Sequence, residues 1–545
     1  MFCGTLHPYQ EDAVNRAVER GSILLALDMG TGKTVIALAV LEELMGRGEV
    51  AQALIIVPAS LRWQWAQRIA QFTDTGQRTV IMRRLALTVP IEEHCVVVDG
   101  GPAERGNLYR RLAQRRPDYV IAGYDTASSD WRELRDLGFD AIILDEAQAV
   151  KNPAAARTKH IRRLRAPYRF ALTGTPMDNG KPEEIYSIMS WVDPEVFGRA
   201  DLFDGAYVRR NPYGRAVGYR NLHVLHDTLA PAMVRYTCTD PGVAVHMPEV
   251  VHTRVDVHLD ACTRQAYARV EADLACALEQ AREEGGVSVD VAALYAGGVQ
   301  NGGAALGRVS TRMLAARLLL CHPQLLHVSA AKHRAARKRS DPGSAYARAL
   351  VDAGHLDTVA AGPKLDVLVE VVRGANQEPG AKVIVFTAFR EMLPLLSAVL
   401  AVHQPAVYHG ELDTAARASA IARFTGDPEC RVLVSTDAGG SGLDLPVASH
   451  VVNYDPPAGV GAWMQRNTRH TRANSVHRRV HVIDLITCAT IEEHVYTRLR
   501  DAHAVALAGV DAHTQRSVHT RTSLSAHLSA HARTPWAGKV NAPSA

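Results

Sequence analysis

The sequence predicts an α/β protein with two tandem domains, each a doubly wound parallel sheet, and a helical insertion between them. Short apolar runs alternate with amphipathic helical patterns up to about residue 185. The alternation is lost from about 186 to 360, and it returns from Lys364. Apolar runs that alternate with helices are typical of parallel sheets covered on both faces.

The predicted domain boundaries follow these changes in pattern. We expect a first α/β domain at 1–185, a helical insertion and linker at 186–360, a second α/β domain at 361–505 and a flexible tail at 506–545. A chain of 545 residues is too long for one hydrophobic core. The tail is rich in Ala, His, Ser and Thr without an apolar period, which favours disorder or a frayed helix.

Composition excludes several classes of protein. The eight cysteines are scattered and form no Cys-x-x-Cys pair, which argues against a zinc ribbon or a disulfide framework. No apolar run approaches the roughly 18 residues that cross a bilayer, and the first residues lack the pattern of a secretory signal. A net charge of +4 is too small to identify a partner. Reduced thiols in a cytosolic protein are the simplest interpretation.

The strongest motif is a glycine-rich turn between an apolar strand and an apolar helix. It consists of Asp28, Met29, Gly30, Thr31, Gly32, Lys33 and Thr34. Glycines let backbone N–H groups turn toward a phosphate, and the helix adds the positive end of its dipole. Lys33 could reach the β- and γ-phosphates, and the Thr34 hydroxyl could ligate Mg²⁺. The strict pattern has glycine where Leu27 stands, so the flanking strand and helix favour a phosphate-binding loop over a turn without a ligand.

Gln10 precedes this loop, next to a predicted helix from Glu11 to Arg20. Its amide can donate and accept together, so it could read the edge of adenine. The alternative is an ordinary polar residue at the start of a helix.

A second motif places two carboxylates after a strand. The apolar residues 141–144 are followed by Asp145 and Glu146, and in open α/β sheets the carboxyl ends of strands carry the ligand. Asp145 could hold Mg²⁺ and Glu146 could polarise the attacking water, although acid pairs also occur as caps. Downstream, Asn152 and Pro153 predict a helix start.

Two further motifs follow strands of the second predicted domain. Closely spaced glycines bring the backbone near a ligand, which makes Gly442 and Asp444 candidate nucleotide contacts. Arg469 and Arg472 are three residues apart and would share a helix face, from which both guanidinium groups could meet a γ-phosphate. The alternative is a basic helix on the surface. The basic run at 332–339 is either a flexible linker or an arm that faces DNA.

These motifs stand in the order of those of superfamily-two helicases, and the chain resembles the Swi/Snf-type branch over about 6–505. The resemblance is carried by Gln10, by 28–34, by Asp145-Glu146-Ala147-Gln148, by Lys151-Asn152 and by Leu172-Thr173-Gly174-Thr175-Pro176-Met177-Asp178-Asn179. Gln148 stands where that branch often has histidine. Leu27 stands where the branch commonly lacks glycine.

The resemblance implies two RecA-like domains that enclose ATP and Mg²⁺ and drive a motor along double-stranded DNA. It implies catalytic roles for Lys33, Glu146, Arg469 and Arg472; nucleotide contacts from Gln10, Met29, Gly30, Thr31, Gly32, Lys33, Thr34, Gly442 and Asp444; and metal ligation by Thr34 and Asp145. We expect a monomer in the cytoplasm of a bacterial or phage-infected cell, without membrane contact; a protein partner is left open. The alternatives are a strand-separating DNA helicase and a non-catalytic nucleic-acid-binding scaffold.

Overall fold

The computed structural model describes residues 1–74, 94–177, 181–214, 216–285, 295, 303–335, 342–359, 362–437, 445–457, 459–467 and 475–510. The strands, in chain order, are β1 (Ser22–Leu27), β2 (Ala53–Val57), β3 (Cys95–Val97), β4 (Tyr119–Gly123), β5 (Ala141–Asp145), β6 (Tyr168–Thr173), β7 (Val208–Arg210), β8 (Ala216–Tyr219), β9 (Met233–Tyr236), β10 (Glu249–Val257), β11 (Val383–Thr387), β12 (Ala406–Tyr408), β13 (Val432–Thr436), β14 (His450–Asn453) and β15 (Arg479–Thr487).

The helices surround two of the sheets. In chain order they are α1 (Pro8–Arg20), α2 (Lys33–Gly46), α3 (Arg62–Phe72), α4 (Pro102–Arg115), α5 (Tyr124–Ser129), α6 (Trp131–Leu137), α7 (Ala156–Ile161), α8 (Pro182–Val192), α9 (Ala200–Tyr207), α10 (Leu222–Leu229), α11 (Pro241–Ala244), α12 (Ala261–Gly285), α13 (Gly303–Cys321), α14 (Pro323–Ala335), α15 (Pro342–Asp352), α16 (Pro363–Ala375), α17 (Leu393–Val399), α18 (Thr414–Gly426), α19 (Val460–Asn467) and α20 (Ile491–Val510). Among the described helices, none is both long enough and apolar enough to cross a membrane.

The first sheet has seven parallel strands in the order β3-β4-β2-β5-β6-β1-β9. Its central strands are apolar at nearly every position because helices cover both faces. Ile23 and Leu25 of β1 pack against α1, α2 and α3 on one face. Leu24 and Ala26 point to the other face, where α4 to α10 pack. The alternation of the strand therefore supplies two hydrophobic cores in one domain.

The second sheet has six parallel strands in the order β10-β15-β14-β11-β13-β12. Ile384 and Phe386 of β11 pack on one face, toward α18. Val383 and Val385 pack on the other face, in a core that also includes residues of α12, α13, α16 and α20. Helices α12 and α13 of the predicted insertion thus share a hydrophobic core with the second domain, whereas α9 and α10 pack on the first sheet.

The predicted fold class of two α/β domains with parallel sheets is confirmed, and the predicted boundaries stay a prediction. Four described strands lie inside the span 186–360 that was predicted to be helical insertion and linker, and β7 and β8 among them form a small antiparallel sheet of their own. Strand β9 pairs with β1 of the first sheet, whereas β10 pairs with β15 of the second sheet. The chain therefore passes from one sheet to the other between Tyr236 and Glu249.

One local prediction was wrong. Asn152 and Pro153 do not start a helix, because α7 begins at Ala156 after an extended Ala155. Instead, the side-chain oxygen of Asn152 accepts a hydrogen bond from Ala154 N at 2.9 Å. Such a local turn competes with helix formation, which explains why the cap signal was misleading.

Candidate active site

The loop between β1 and α2 has the backbone that the glycine pattern predicts. Gly30 and Gly32 have φ angles of 87° and 88°, in the left-handed region that favours glycine. A Cβ atom added to Gly32 would lie 2.4 Å from Nε2 of Gln10. The conformation and the close packing therefore both require glycine at this position.

Lys33 is the first residue of α2, and its ammonium group stays within the loop. Nζ donates to the carbonyl oxygens of Leu27 at 2.9 Å and Asp28 at 3.2 Å. The turn after β6 approaches the same group, since a Cβ at Gly174 would lie 3.4 Å from Lys33 Nζ. Thr34 follows in the first turn of the helix. The positive charge is thus held where the helix dipole also favours an anion.

Gln10, in the first turn of α1, lies against the same loop. Its Nε2 donates to Thr31 O at 3.0 Å, and its Oε1 accepts from His7 N at 2.9 Å. The hydroxyl of Tyr9 donates to the same Thr31 carbonyl at 2.9 Å. The side chain of Gln10 is buried and braces the loop. Its role in adenine recognition stays a prediction.

Asp145 is a buried carboxylate at the end of β5. Trp65 donates its indole N–H to Oδ2 at 2.8 Å, and Glu146 N donates to Oδ1 at 3.0 Å. Burial, together with the charge of Glu146, raises the pKa of Asp145 to about 7. Two adjacent carboxylates in this position favour a cation between or beside them.

A chain of hydrogen bonds links Glu146 to the end of β6. Gln148 donates through Nε2 to Oε2 of Glu146 at 2.7 Å and accepts through Oε1 from the Thr173 hydroxyl at 2.9 Å. Thr173 Oγ1 in turn accepts from Thr175 N at 3.0 Å. Glu146 itself has a φ of 52°, which is uncommon for a residue with a side chain. The backbone at this position is therefore held in place by its surroundings.

The register of the sheet brings these residues to one edge. Ala26 of β1 pairs with Thr173 of β6, and Leu172 of β6 pairs with Asp145 of β5. The carboxyl ends of the three neighbouring strands therefore present the Lys33 loop, the Thr173 turn and the acid pair side by side. This is the edge at which open parallel sheets bind ligands.

Known protein families match most of the chain. Residues 9–324 match the SNF2-related domain, and residues 363–474 match the helicase conserved C-terminal domain. The chain belongs to the SNF2-related family.

Curated SNF2-related relatives are distant in sequence but match along most of the chain. One is YwqA of Bacillus subtilis, whose name describes an ATP-dependent helicase/translocase, at 24% identity over 91% of this chain and 47% of its own. Another is the chromodomain-helicase-DNA-binding protein 3 homologue of Caenorhabditis elegans, at 25% identity over 94% of this chain and 27% of its own. The chain thus spans about half the length of the first relative and about a quarter of the second.

A solved structure shows the same fold. The helicase domain of Pyrococcus furiosus Hef is 19% identical and has a TM-score of 0.51, with 91% of this chain and 98% of that chain covered. This likeness supports the assignment of two tandem RecA-like domains in the SNF2-related chain.

The predicted contributions of the second domain to the site lie outside the described residues. These are Gly442, Asp444, Arg469 and Arg472. The described residues beside these segments are joined by an ion pair between the buried Arg466 and the half-buried Asp437, in which Arg466 Nη2 donates to Asp437 Oδ2 at 2.8 Å. Arg466 Nη1 also donates to Asp455 O at 2.6 Å. The start of the arginine segment is thus tied to the start of the glycine segment.

Three residues around the site were not singled out as functional from the sequence. Arg235 of β9 donates to Oδ1 of Asp28 at 2.8 Å, and Cys238 N donates to Oδ2 at 3.0 Å. These bonds fasten the phosphate-binding loop to the last strand of the first sheet. The third is Trp65, whose indole N–H donates to Asp145. No local pattern identifies such partners, because they are 80 to 210 residues distant in sequence.

The residues at this edge of the sheet have the chemistry to hold a nucleotide phosphate and Mg²⁺. Gly30 and Gly32 have the positive φ angles that let backbone N–H groups of a loop turn toward an anion. The paired carboxylates of Asp145 and Glu146 supply the oxygen ligands and negative charge that Mg²⁺ prefers. Burial and the neighbouring charge of Glu146 raise the pKa of Asp145. A bound cation would compensate this negative charge and lower the pKa again.

Proposed function

We propose that this chain is an ATP-driven motor on double-stranded DNA. The observation that carries the proposal is the meeting of the Lys33 loop, the acid pair and the Gln148 bridge at one edge of the first sheet. Membership of the SNF2-related family supports it, as do the names of relatives described as an ATP-dependent helicase/translocase and as DNA-binding.

The site residues of the first domain have distinct parts in hydrolysis. The backbone N–H groups of the loop and the ammonium of Lys33 bind the phosphates of ATP. Asp145 and Thr34 are the residues that would hold Mg²⁺, which when bound supplies positive charge beside the phosphates. Glu146 orients the attacking water and accepts its proton. Gln148 links Glu146 to the Thr173 turn through its two hydrogen bonds.

The second domain completes the site when the domains close. Arg469 and Arg472 would contact the γ-phosphate, and Gly442 and Asp444 would approach the nucleotide from the same side. An arginine supplied in this way can be worth about 10³–10⁵ in turnover. Closure that depends on ATP converts hydrolysis into relative movement of the domains. This requirement for two domains argues against a small-molecule kinase.

Duplex DNA is the proposed track because the resemblance is to the translocating Swi/Snf-type branch. Contacts with phosphates would give little sequence specificity and a steep dependence on salt. We propose that a monomer is sufficient for ATP hydrolysis. Action in the cytoplasm belongs to the same proposal.

The test is ATP hydrolysis by the full chain with duplex DNA, single-stranded DNA or RNA. We expect duplex DNA to stimulate turnover most, and Lys33→Ala to lower it by about 10²-fold or more. A matched pair of glycines provides a second test. Gly32 and Gly48 both have positive φ, but a Cβ at Gly48 meets nothing within 4 Å. Gly32→Ala should abolish ATP binding, whereas Gly48→Ala should cost only a small loss of stability.

The outcomes separate the alternatives. DNA-stimulated hydrolysis that survives Lys33→Ala would refute the motor. No turnover in the parent chain would favour the scaffold. Displacement of a labelled strand from a blunt duplex would favour a strand-separating helicase.

A further inference from the structure

A second cluster of chemically reactive side chains lies in the second domain, away from the proposed ATP site. His450 is the first residue of β14, and the register pairs it with His481 of β15. Neighbouring residues of parallel strands point to the same face at about 4.8 Å spacing. Glu378 joins them from the turn after α16. One ligand atom of each residue lies within 4.8 Å of those of the other two.

The backbone fixes all three positions. His450 N donates to Lys382 O at 3.2 Å, and His481 N donates to Ser449 O at 2.8 Å. Glu378 N donates to Ala375 O, and Glu378 O accepts from Ala381 N, both at 3.2 Å. The cluster is therefore built from two central strands and a turn that is hydrogen-bonded on both sides.

The hydroxyl of Ser449 contacts one ring nitrogen of His450 and leaves the other facing away from it. Ser449 Oγ donates to Lys382 O at 3.3 Å, and it lies 2.9 Å from Nδ1 of His450. When the hydroxyl donates its hydrogen to this carbonyl, it accepts from Nδ1–H of the imidazole. In that tautomer Nε2 presents a lone pair. Metal-binding histidines are typically held in this way, with the second nitrogen donating to an oxygen.

Burial differs across the cluster in the way that a binding site requires. His450 is 5% exposed, and its ring centroid lies 4.7 Å from that of His481 with 11° between the ring planes, so one imidazole has to rotate before both can direct a nitrogen at the same ion. Glu378 is exposed, so the carboxylate side is open to an entering ion. The two imidazoles form the inner wall.

We propose that Glu378, His450 and His481 bind a divalent transition metal ion of the zinc class. Two imidazoles and one carboxylate are donors that such an ion prefers, and water can occupy the fourth position. The ion would join β14, β15 and the turn before β11. Because β14 extends away from the cluster for three more residues at about 3.3 Å each, the site is separate from the Asp455 end of the sheet. An ion bound there would stabilise the domain by linking these three elements.

The test uses the full chain without a histidine tag and without nucleotide, stripped by a chelator and titrated with Zn²⁺ by calorimetry. Co²⁺, followed by its visible absorption, reports whether nitrogen and oxygen ligands surround the ion. Glu378→Ala changes an exposed residue, and His481→Ala removes an imidazole. The matched control is His477→Ala, because the Nε2 of this neighbouring histidine contacts Val447 O at 3.0 Å and lies outside the cluster.

We expect one Zn²⁺ of the parent chain to be lost, or its affinity to fall at least about 10-fold, in both Glu378→Ala and His481→Ala. His477→Ala should retain it. Zn²⁺ should raise the melting temperature of the parent and of the control but not of the two variants. The eight cysteines and the histidines of the tail are the same in every variant, so the difference isolates this cluster. Equal binding by all four proteins, or no binding by the parent, would overturn the proposal.

Discussion

Trp65 of α3 donates its indole N–H to the Asp145 carboxylate at 2.8 Å, and both side chains are buried. The contact ties a helix that covers one face of the first sheet to the acid at the carboxyl end of β5. Trp65 is therefore a positioning residue for Asp145, in addition to its place in the core.

Trp65→Phe removes this hydrogen bond while it keeps an aromatic ring. A hydrogen bond to a charged group contributes about 1.5–3 kcal/mol, so turnover should fall about 10-fold or more. The bond favours the ionised form, and its loss should raise the pKa of Asp145 further. The acidic limb of kcat/KM, measured from about pH 5.5 to about pH 9, should therefore move to higher pH. Trp63→Phe, in the same helix, is the control, and a limb that shifts equally in both variants would contradict the prediction.

Asp145→Asn should stabilise the protein at alkaline pH in the absence of nucleotide and Mg²⁺. The pKa of Asp145 is raised from 3.8 to about 7, so the folded state binds this proton more tightly than the unfolded chain. The resulting stability is complete below about pH 3.8 and is lost as the pH rises through about 7. At about pH 8 the variant should gain roughly 1–4 kcal/mol in free energy of unfolding.

Urea unfolding at several pH values measures this effect. The difference between Asp145→Asn and the parent should shrink as the pH falls toward about 5. Asp136, an exposed residue of α6, gives the control, and Asp136→Asn should show no such trend. A variant that is less stable than the parent at alkaline pH would show that the carboxylate is favourable there.

Gln148→Ala should lower kcat for ATP by about 10–100-fold with little change in KM. It removes the donor to Glu146 and the acceptor for Thr173 without touching the phosphate-binding loop. Gln148→His should recover much of the loss, because a neutral imidazole offers one donor and one acceptor. Steady-state ATPase kinetics with duplex DNA measure both variants. Equal activity of the alanine and histidine variants would mean that the bridge has no role.

Arg466→Met should destabilise the second domain by about 3–5 kcal/mol, because it removes the partner of the half-buried Asp437 and a neighbouring positive charge from the buried Asp455. Arg466 is 1% exposed. Denaturant unfolding of the full chain measures the loss. Arg199, in an exposed pair with Asp201, is the control, and Arg199→Met should change stability by less than about 0.5 kcal/mol.

A double variant tests the pairing itself. Arg466→Met with Asp437→Leu should be more stable than the sum of the single effects predicts, because the two residues share a bidentate contact. Additive losses would mean that the ion pair is not the cause.

The sequence was informative wherever a local pattern reports its surroundings. The apolar runs predicted the central strands of both sheets, since only strands covered on both faces are apolar throughout. Strands β9 and β10 were missed for the converse reason. β9 has only four residues and includes Arg235, and β10 alternates polar residues at the edge of its sheet. An edge strand has less apolar surface to bury and so gives a weaker signal.

The phosphate-binding loop and the Asp145-Glu146 pair were determined by the sequence alone, because their chemistry depends on residues adjacent in the chain. Folding decided what holds them: Trp65 on Asp145, Arg235 on Asp28, and Gln148 between Glu146 and Thr173. The pairing of Arg466 with Asp437 and the convergence of Glu378, His450 and His481 also arose only in three dimensions. Parallel strands bring together residues that are far apart in the sequence, and the spacing of a single chain carries no record of which strands become neighbours.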